Sequence, residues 1–440
     1  MIDLLWGVGG MLVLLAVAAA ISTDRRAIRP RTVLAALAAQ VLFGVLVLYV
    51  PPGRAALSAA TQGVQAVIDS SKAGIGFLFG PLVPEEGVVF ALQVLPVIVF
   101  FAALTSVLYH WRVLQRVVNV LGSGLHVLLG TSRAESVNAA TNVFLGQTES
   151  PLVIKPFIAR MSTSSLFAVM TGGLATVAGS VLVGYALLGA ELDQLIAAAF
   201  MAAPGALLMA KIVVPETEDV DADGVPVAAG AVADRRTEGA EGGASSDGQT
   251  ETRTDSASAG EAGSADEEKH VNVIDAAAGG AAQGLKLAAN IGAMLLAFIS
   301  LIALVNLLLG TAGGWFGAED LTFEKILGWV FAPVMFVVGV PWGEAVAAGS
   351  FVGQKTIVNE FVAFSAFGPV AEDFSDKTRA IVTFALTGFA NLGSLAILLG
   401  GLGGLAPERR PEIARFGIRA IAAATLANLM SAAIAGILIG

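Results

Sequence analysis

The apolar positions of this chain fall in long unbroken runs, without the polar face that a water-facing helix keeps. About 20 apolar residues suffice for a helix to cross a bilayer. Runs of that order lie near 2–22, 33–51, 88–110, 164–188, 193–213, 284–310, 379–401 and 417–439, and predict eight transmembrane helices. The stretch 54–79 is only moderately apolar and carries Gln62, Gln65, Asp69 and Lys72, which predicts an interfacial helix. Two regions are too interrupted for simple spans. One runs over 133–160 and is broken by Gly146-Gln147-Thr148-Glu149-Ser150-Pro151. The other runs over 323–364 and holds Pro333, Gly339, Pro341, Gly343, Gly353, Asn359 and Glu360. Each is long enough for two half-spans. Backbone turns at membrane depth only where protein or a wet cavity satisfies its polar groups, so both are read as re-entrant helical hairpins.

The order of these pieces repeats. A hairpin with Gln147 to Glu149 is followed by a span interrupted at Thr171-Gly172-Gly173 and Thr176 to Ser180, then by a plain span. A hairpin with Gln354 to Glu360 is followed by a span interrupted at Gly388 to Ser394, then by another plain span. With eight spans the first hairpin opens from inside and the second from outside, which makes an inverted-topology repeat. Such paired interruptions mark the midplane binding site of transporters. The expected fold is therefore an all-α membrane protein: eight transmembrane helices, two re-entrant hairpins and interfacial helices. Its divisions are 1–130 (scaffold spans and interfacial helices), 131–213 (first repeat), 214–270 (acidic loop), 271–322 (scaffold span and interfacial helix) and 323–440 (second repeat).

Composition agrees with a chain solvated largely by lipid: 56% hydrophobic, 14% charged, mean hydropathy +0.79. The net charge of −10 is local. Residues 215–270 hold 15 acids and 4 bases, so the rest of the chain is close to neutral. That segment is rich in Gly, Ala, Ser and Thr and poor in large apolar residues, and is expected to be a disordered solvating loop. Arg25, Arg26, Arg29 and Arg31, then Arg112 and Arg116, then Arg409, Arg410, Arg415 and Arg419 cluster in three connections. Basic loops stay cytoplasmic, which puts both termini outside and the acidic loop in the cytoplasm. The apolar N-terminus has Asp3 and no basic leader, and is read as the first span. There are no cysteines, and the three histidines have no metal-ligand spacing.

Glu149 and Glu360 are the sharpest clues to chemistry. A carboxylate near the bilayer centre costs at least about 2.5 kcal/mol, so glutamates at matching points of two hairpins suggest one shared polar cavity. The competing reading is a pair of buried helix-tying hydrogen bonds. Gln147, Thr148, Asn391 and Ser394 add neutral donors and acceptors, which suit a ligand rich in hydroxyls and amides. Lys355 is the one base at either break and is as able to pair with Glu360 as to touch a ligand. Phe389 is placed equally well to wall a planar ring or to pack in the core. Asn142, Leu145, Thr176 and Val177 flank the breaks of the first repeat. Carbonyls freed by unwinding, with an amide and a hydroxyl oxygen, suit a small hard cation, although Asn and Thr also occur in broken helices for their own backbone bonding. No phosphate loop of the G-x-x-x-x-G-K-[ST] type and no nucleophile–base set appears, so neither ATP-driven pumping nor enzymatic chemistry is supported.

At these residues the chain resembles the concentrative nucleoside transporters. The matching stretches are NVFLGQTESPL (142–152), LFAVMTGGLATVAGSVL (166–182), GQKTIVNEFVAF (353–364), ALTGFANLGSLAI (385–397) and GGLGGLAPERR (400–410), in family order. The resemblance spans nearly everything but the acidic loop. It implies a cell-membrane trimer of multi-pass subunits, each with a scaffold and a moving transport domain. It implies that Gln147, Thr148 and Glu149 face the nucleobase with Val181 and Phe389 packed on it, and that Glu360, Asn391 and Ser394 hold the ribose hydroxyls. The Na+ ligands it implies are Asn142, Leu145, Thr176 and Val177, the second and fourth through main-chain oxygen. The family often has Ser-Ser after the Asn of the GFAN stretch, where this chain has Leu392-Gly393-Ser394, one hydroxyl fewer.

The expected function is sodium-coupled symport of a nucleoside by alternating access, with no nucleic-acid partner. The rivals are coupling to H+ through Glu149, a passive channel lined by the midplane carboxylates, and a membrane sensor that uses the acidic loop as output.

Overall fold

A computed structural model describes residues 2–84, 89–227, 271–315, 317, 318 and 320–439. The N-terminal third runs through α1 (Ile2–Ala20), α2 (Pro30–Gly44, continued by a widened turn Val45–Tyr49), α3 (Pro51–Phe79), α4 (Leu95–His110, led in by Phe90–Val94) and α5 (Val113–Leu129). Then come α6 (Arg133–Asn142), α7 (Lys155–Ile158), α8 (Thr163–Ala175), α9 (Gly179–Leu187) and α10 (Leu192–Val213). The last group is α11 (Val273–Gly314), α12 (Phe323–Val338), α13 (Trp342–Ile357), α14 (Glu360–Phe367), α15 (Asp376–Leu386), α16 (Leu392–Leu405) and α17 (Arg410–Ile439). Among the described residues there is no β-strand, only a bridge between Val220 and Pro226.

Among the described residues, seven helices or runs of helix are long and apolar enough to cross a membrane, and α12 with α13 forms a further candidate bent by 116°. They sort into two shells. The windows of α8–α9, α10 and α17 are mostly buried inside the protein, whereas only a minority of the residues of α1, α2, α4 and α11 are buried, with α11 the most exposed. Exposed apolar surface of this extent fits lipid or further protein, not water. Neighbouring helices pack through small residues. Gly280 and Gly284 of α11 lie directly on Ala102, Ser106 and Val99 of α4, with no room for a Cβ. Gly328, Gly349 and Gly353 close α12 against α13 in the same way. Close backbone approach at small residues is how helices associate where no hydrophobic drive separates them.

Four expectations need correction or refinement. The span placed at 284–310 is a 42-residue helix, about 63 Å long. Its first turns (Asp275–Gly284) are rich in Ala and Gly, too bland for a hydropathy reading, and start at an Asn272 cap that accepts from the Asp275 amide. The region 323–364 is three helices, not two half-spans. The first reversal follows Gly339, which sits in the left-handed region at φ +116° ahead of Pro341. A second break falls at Val358-Asn359, where Asn359 caps α14 through the Val362 amide at 2.9 Å. In the region 133–160 only one arm is a regular helix, α6. After the turn, Pro151 and Pro156 leave a 3-10 segment (Ser150–Ile154) and the four residues of α7.

The stretch 214–270 also divides. Residues 228–270 lie outside the described residues, but 215–227 fold back onto the bundle. Arg133, at the start of α6, donates its amide to Ala222 O at 2.7 Å, and Ser162, the cap of α8, donates its amide to Gly224 O at 2.9 Å. The Ser162 hydroxyl donates to Glu216 at 2.6 Å. Helix N-termini leave amides without intrahelical partners and favour negative charge, and this acidic turn supplies acceptors to two of them.

Candidate functional site

Two interrupted helices meet at their breaks. α8 stops at Ala175 and restarts as α9 at Gly179, while α15 stops at Leu386 and restarts as α16 at Leu392. Each stop strands carbonyls and each restart strands amides. The two connectors bond to one another: the Phe389 amide donates to Thr176 O at 3.3 Å. Gly388 makes the contact possible. Its φ is +153°, and a Cβ there would sit 2.4 Å from Asn428 Oδ1 and 2.7 Å from Ala175 O.

The stranded carbonyls are satisfied from behind. Asn428, on α17, donates through Nδ2 to Ala175 O at 2.7 Å and to Thr387 O at 2.9 Å. Lys355, 1% exposed on α13, donates to Ala385 O at 2.7 Å and to Asn428 Oδ1 at 2.9 Å. Lys355 therefore anchors the end of α15 through these bonds, while its charge also interacts with that of Glu360. A cation at a helix C-terminus is favoured by the helix dipole. Asn428 escaped the sequence reading because it is a lone amide in the apolar run Ala422–Met430; polarity at mid-span was the signal available.

The second-repeat candidates come together as a unit. Glu360 is the first residue of α14, 4% exposed, and Asn391 Nδ2 donates to its carboxylate at 2.8 Å. Asn391 is also the cap of α16, accepting from the Ser394 amide at 2.8 Å. The Tyr185 hydroxyl lies beside Glu360, and its ring stacks on Phe364 at 4.5 Å; the sequence reading overlooked this residue, which falls within a plain apolar stretch. A carboxylate at one helix N-terminus, tied to the cap of another, presents oxygen acceptors and an amide at the mouth of the break.

The first-repeat candidates surround the α8–α9 break. The loop after α6 is pinned there by the Gly179 amide, which donates to Phe144 O at 3.1 Å. Gln147 packs its stem on Gly173, at 3.0 Å from where a Cβ would lie, and leaves its buried Oε1 unpartnered. Thr148 reaches across to Gly401 of α16. Asn142 is fully buried, with both amide atoms unpartnered, and faces Gly172. Thr176 turns its hydroxyl back to Gly172 O at 2.8 Å, and Val177 is buried next to it. Leu145 O has only a long contact from the Ser150 hydroxyl at 3.4 Å. A buried amide without partners is costly. The amide of Asn142 and the hydroxyl of Thr176 both lie against Gly172, and neutral amide, hydroxyl and carbonyl oxygens have the chemistry of a small hard cation's ligands.

Three candidates stand less tightly. Val181 is buried on α9 and Phe389 half-buried on its connector. Glu149 is exposed, and among the described residues its carboxylate accepts only from its own loop, from the Gly146 amide at 3.4 Å. It shares no partner with Glu360, so the two carboxylates do not form a bonded pair in this conformation.

Comparison with known proteins accounts for this arrangement. Residues 194–436 match the model of the Na+ dependent nucleoside transporter C-terminus, residues 9–82 that of its N-terminus, and residues 91–192 a nucleoside recognition (gate) domain. The chain is 49% identical to the uncharacterized transporter YutK of Bacillus subtilis over 99% of its length and 100% of that protein's. It is 44% identical to the nucleoside permease NupC of Helicobacter pylori over 99% of its length and 98% of that protein's. Its fold is similar to that of CNTnw in an inward-facing substrate-bound state, with TM-score 0.86 and 48% identity over 99% of this chain and 98% of that one. These relatives are transporters and not enzymes. The chain belongs to the Na+ dependent, concentrative nucleoside transporter family.

Proposed function

We propose that this protein is a sodium-coupled nucleoside symporter working by alternating access. The observation that carries the reading is Asn142, a fully buried amide with no protein partner, set among Leu145 O, Thr176 and Val177 at the α8–α9 break. Sodium as cargo completes that shell, bound by the Asn142 amide oxygen, the Thr176 hydroxyl and the main-chain oxygens of Leu145 and Val177. Its charge offsets part of the cost of carrying carboxylates through an apolar barrier.

The nucleoside then lies between the two repeats. Gln147, Thr148 and Glu149 take the nucleobase, with Val181 and Phe389 on its faces, and Glu360, Asn391 and Ser394 take the ribose hydroxyls. Cation and nucleoside strengthen each other because each orders a loop the other uses, and the coupling is reciprocal by linkage. The two hairpins with the broken spans act as the transported unit of an inverted repeat. α4 and α11 form the scaffold, whose exposed apolar faces meet lipid and two further copies in a trimer. The basic connections lie in the cytoplasm and both termini outside.

The test is uptake of radiolabelled nucleoside into proteoliposomes. Accumulation against its gradient, driven by an inward sodium gradient at constant pH, is the expected result. Uptake that ignores sodium, follows a pH gradient and is lost in Glu149→Gln would replace the sodium version with proton coupling. Cation conduction in the absence of nucleoside would point to a channel.

A further inference from the structure

The face of α6 below the cation site is polar where packing alone would use alanine. Glu135, Asn138 and Asn142 stand at i, i+3 and i+7, one above the other on a single face, and are 2%, 1% and 0% exposed. The opposing face of α8 has Ser165, Ala168 and Gly172 at the same spacing, all small. The two ends are in contact. The Ser165 hydroxyl donates to Glu135 Oε1. A Cβ on Gly172 would lie 3.6 Å from Asn138 Nδ2 and 3.3 Å from Asn142 Nδ2. Between these ends Asn138 Oδ1 is buried without a partner among the described residues, as is the hydroxyl of Thr171, the residue before Gly172 on α8. Unpaired polar atoms between two packed helices cost free energy, and nothing in the α6–α8 contact requires them.

The lower end of this seam opens on a cleft lined by Arg29, Ser132, Glu135, Lys211 and Glu216. Lys211 Nζ donates to Glu135 Oε1 at 2.7 Å and lies 3.8 Å from Glu216 Oε2. A short swing of the ammonium would move it from one carboxylate to the other without leaving it unpaired. That swing would break the ammonium's bonds to Glu135 and Ser164 and leave the Glu135 carboxylate held, among the described residues, only by the Ser165 hydroxyl and the Ser132 amide, without a counter-charge, at the foot of the column.

We infer that the coupling cation travels between the Asn142 site and the side of the membrane carrying this cleft along the α6–α8 seam. Asn138 is the relay, and the Glu135–Lys211–Glu216 triad is the gate. In the conformation described the seam is closed and the gate shut. A cation leaving Asn142 meets Asn138 Oδ1 one turn down and the Glu135 carboxylate one turn further. This assignment rests on the cation-coupled reading above and adds the route to it.

The experiment compares native protein with Asn138→Leu and Asn138→Ser. Two quantities are read: sodium-dependent nucleoside binding at equilibrium in detergent, and the initial rate of 22Na flux coupled to nucleoside in proteoliposomes. Leucine keeps the branching at Cγ and removes the oxygen. The expected result is equilibrium binding within about twofold of native but a flux slowed at least about tenfold, with much of the rate recovered by serine. Native flux in the leucine variant overturns the route. So does parallel loss of binding and flux in both variants, which is the mark of a purely structural asparagine. Absence of sodium dependence in the native protein overturns the coupling reading itself, whereas sodium-dependent native flux with unaffected variants overturns only the route.

Discussion

Glu360 shows how one side chain answers to several constraints at once. It starts α14, where the helix dipole favours its charge, and it holds the amide of Asn391, which in turn caps α16. Replacing it with glutamine keeps the volume and removes the charge that strengthens these bonds. A hydrogen bond to a charged group contributes about 1.5–3 kcal/mol, so Glu360→Gln is expected to raise the nucleoside concentration for half-maximal uptake by about 10- to 100-fold, read in the proteoliposome assay. Asn428 has the opposite character: it touches no proposed ligand residue and serves carbonyls of both breaks. Asn428→Ala would strand Ala175 O, Thr387 O and one bond of Lys355, and each buried unsatisfied group costs about 1–3 kcal/mol. The expected outcome is a clear fall in melting temperature in detergent, with cation and nucleoside binding lost together. An unchanged melting curve would show that Asn428 does not hold the two breaks together.

At the level of helices, the breaks carry the proposed binding residues, and a glycine shapes one of them. Gly388→Ala would force a Cβ into Asn428 and the Ala175 carbonyl at a backbone angle that L side chains rarely adopt. It is expected to abolish uptake while the protein still inserts and assembles, measured as uptake normalised to membrane-embedded protein. The breaks were legible in sequence because Gly, Thr and Asn interrupted apolar runs that otherwise read as spans. Their mutual contact was not: the bond from Phe389 to Thr176 O joins residues 213 positions apart, and no local pattern encodes it. The subdivision of 323–364 was missed for a related reason. Gly339, Pro341 and Asn359 each signal a break, but which of them reverses the chain and which only interrupts it depends on what α13 packs against.

For the whole molecule, the acidic connection separates into a part that belongs to the fold and a part beyond the described residues. Deleting 228–265 is expected to leave nucleoside uptake within about twofold of native. A retained transporter of this kind would also exclude the segment as the output of a sensor. Glu216→Ala, by contrast, removes the acceptor of the Ser162 hydroxyl and one carboxylate near Lys211, and is expected to lower thermal stability by about 1–3 kcal/mol. Equal tolerance of both changes would show that the acidic turn at 215–227 is not part of the fold's support.

The apolar runs and their interruptions determined by themselves that the chain is a helical membrane-type protein with broken helices, and the quoted motifs carried the family resemblance. These are properties of composition and short spacing, which hydrocarbon and backbone bonding read directly. Only the tertiary structure decided that Lys355 supports a helix end, that Glu360 holds Asn391 while Glu149 stands apart, and that a column of buried polar atoms runs beneath Asn142. Those outcomes depend on which stranded backbone group meets which side chain once the helices pack. That pairing is settled by packing between distant parts of the chain, where the cost of leaving a buried polar group alone selects the partner.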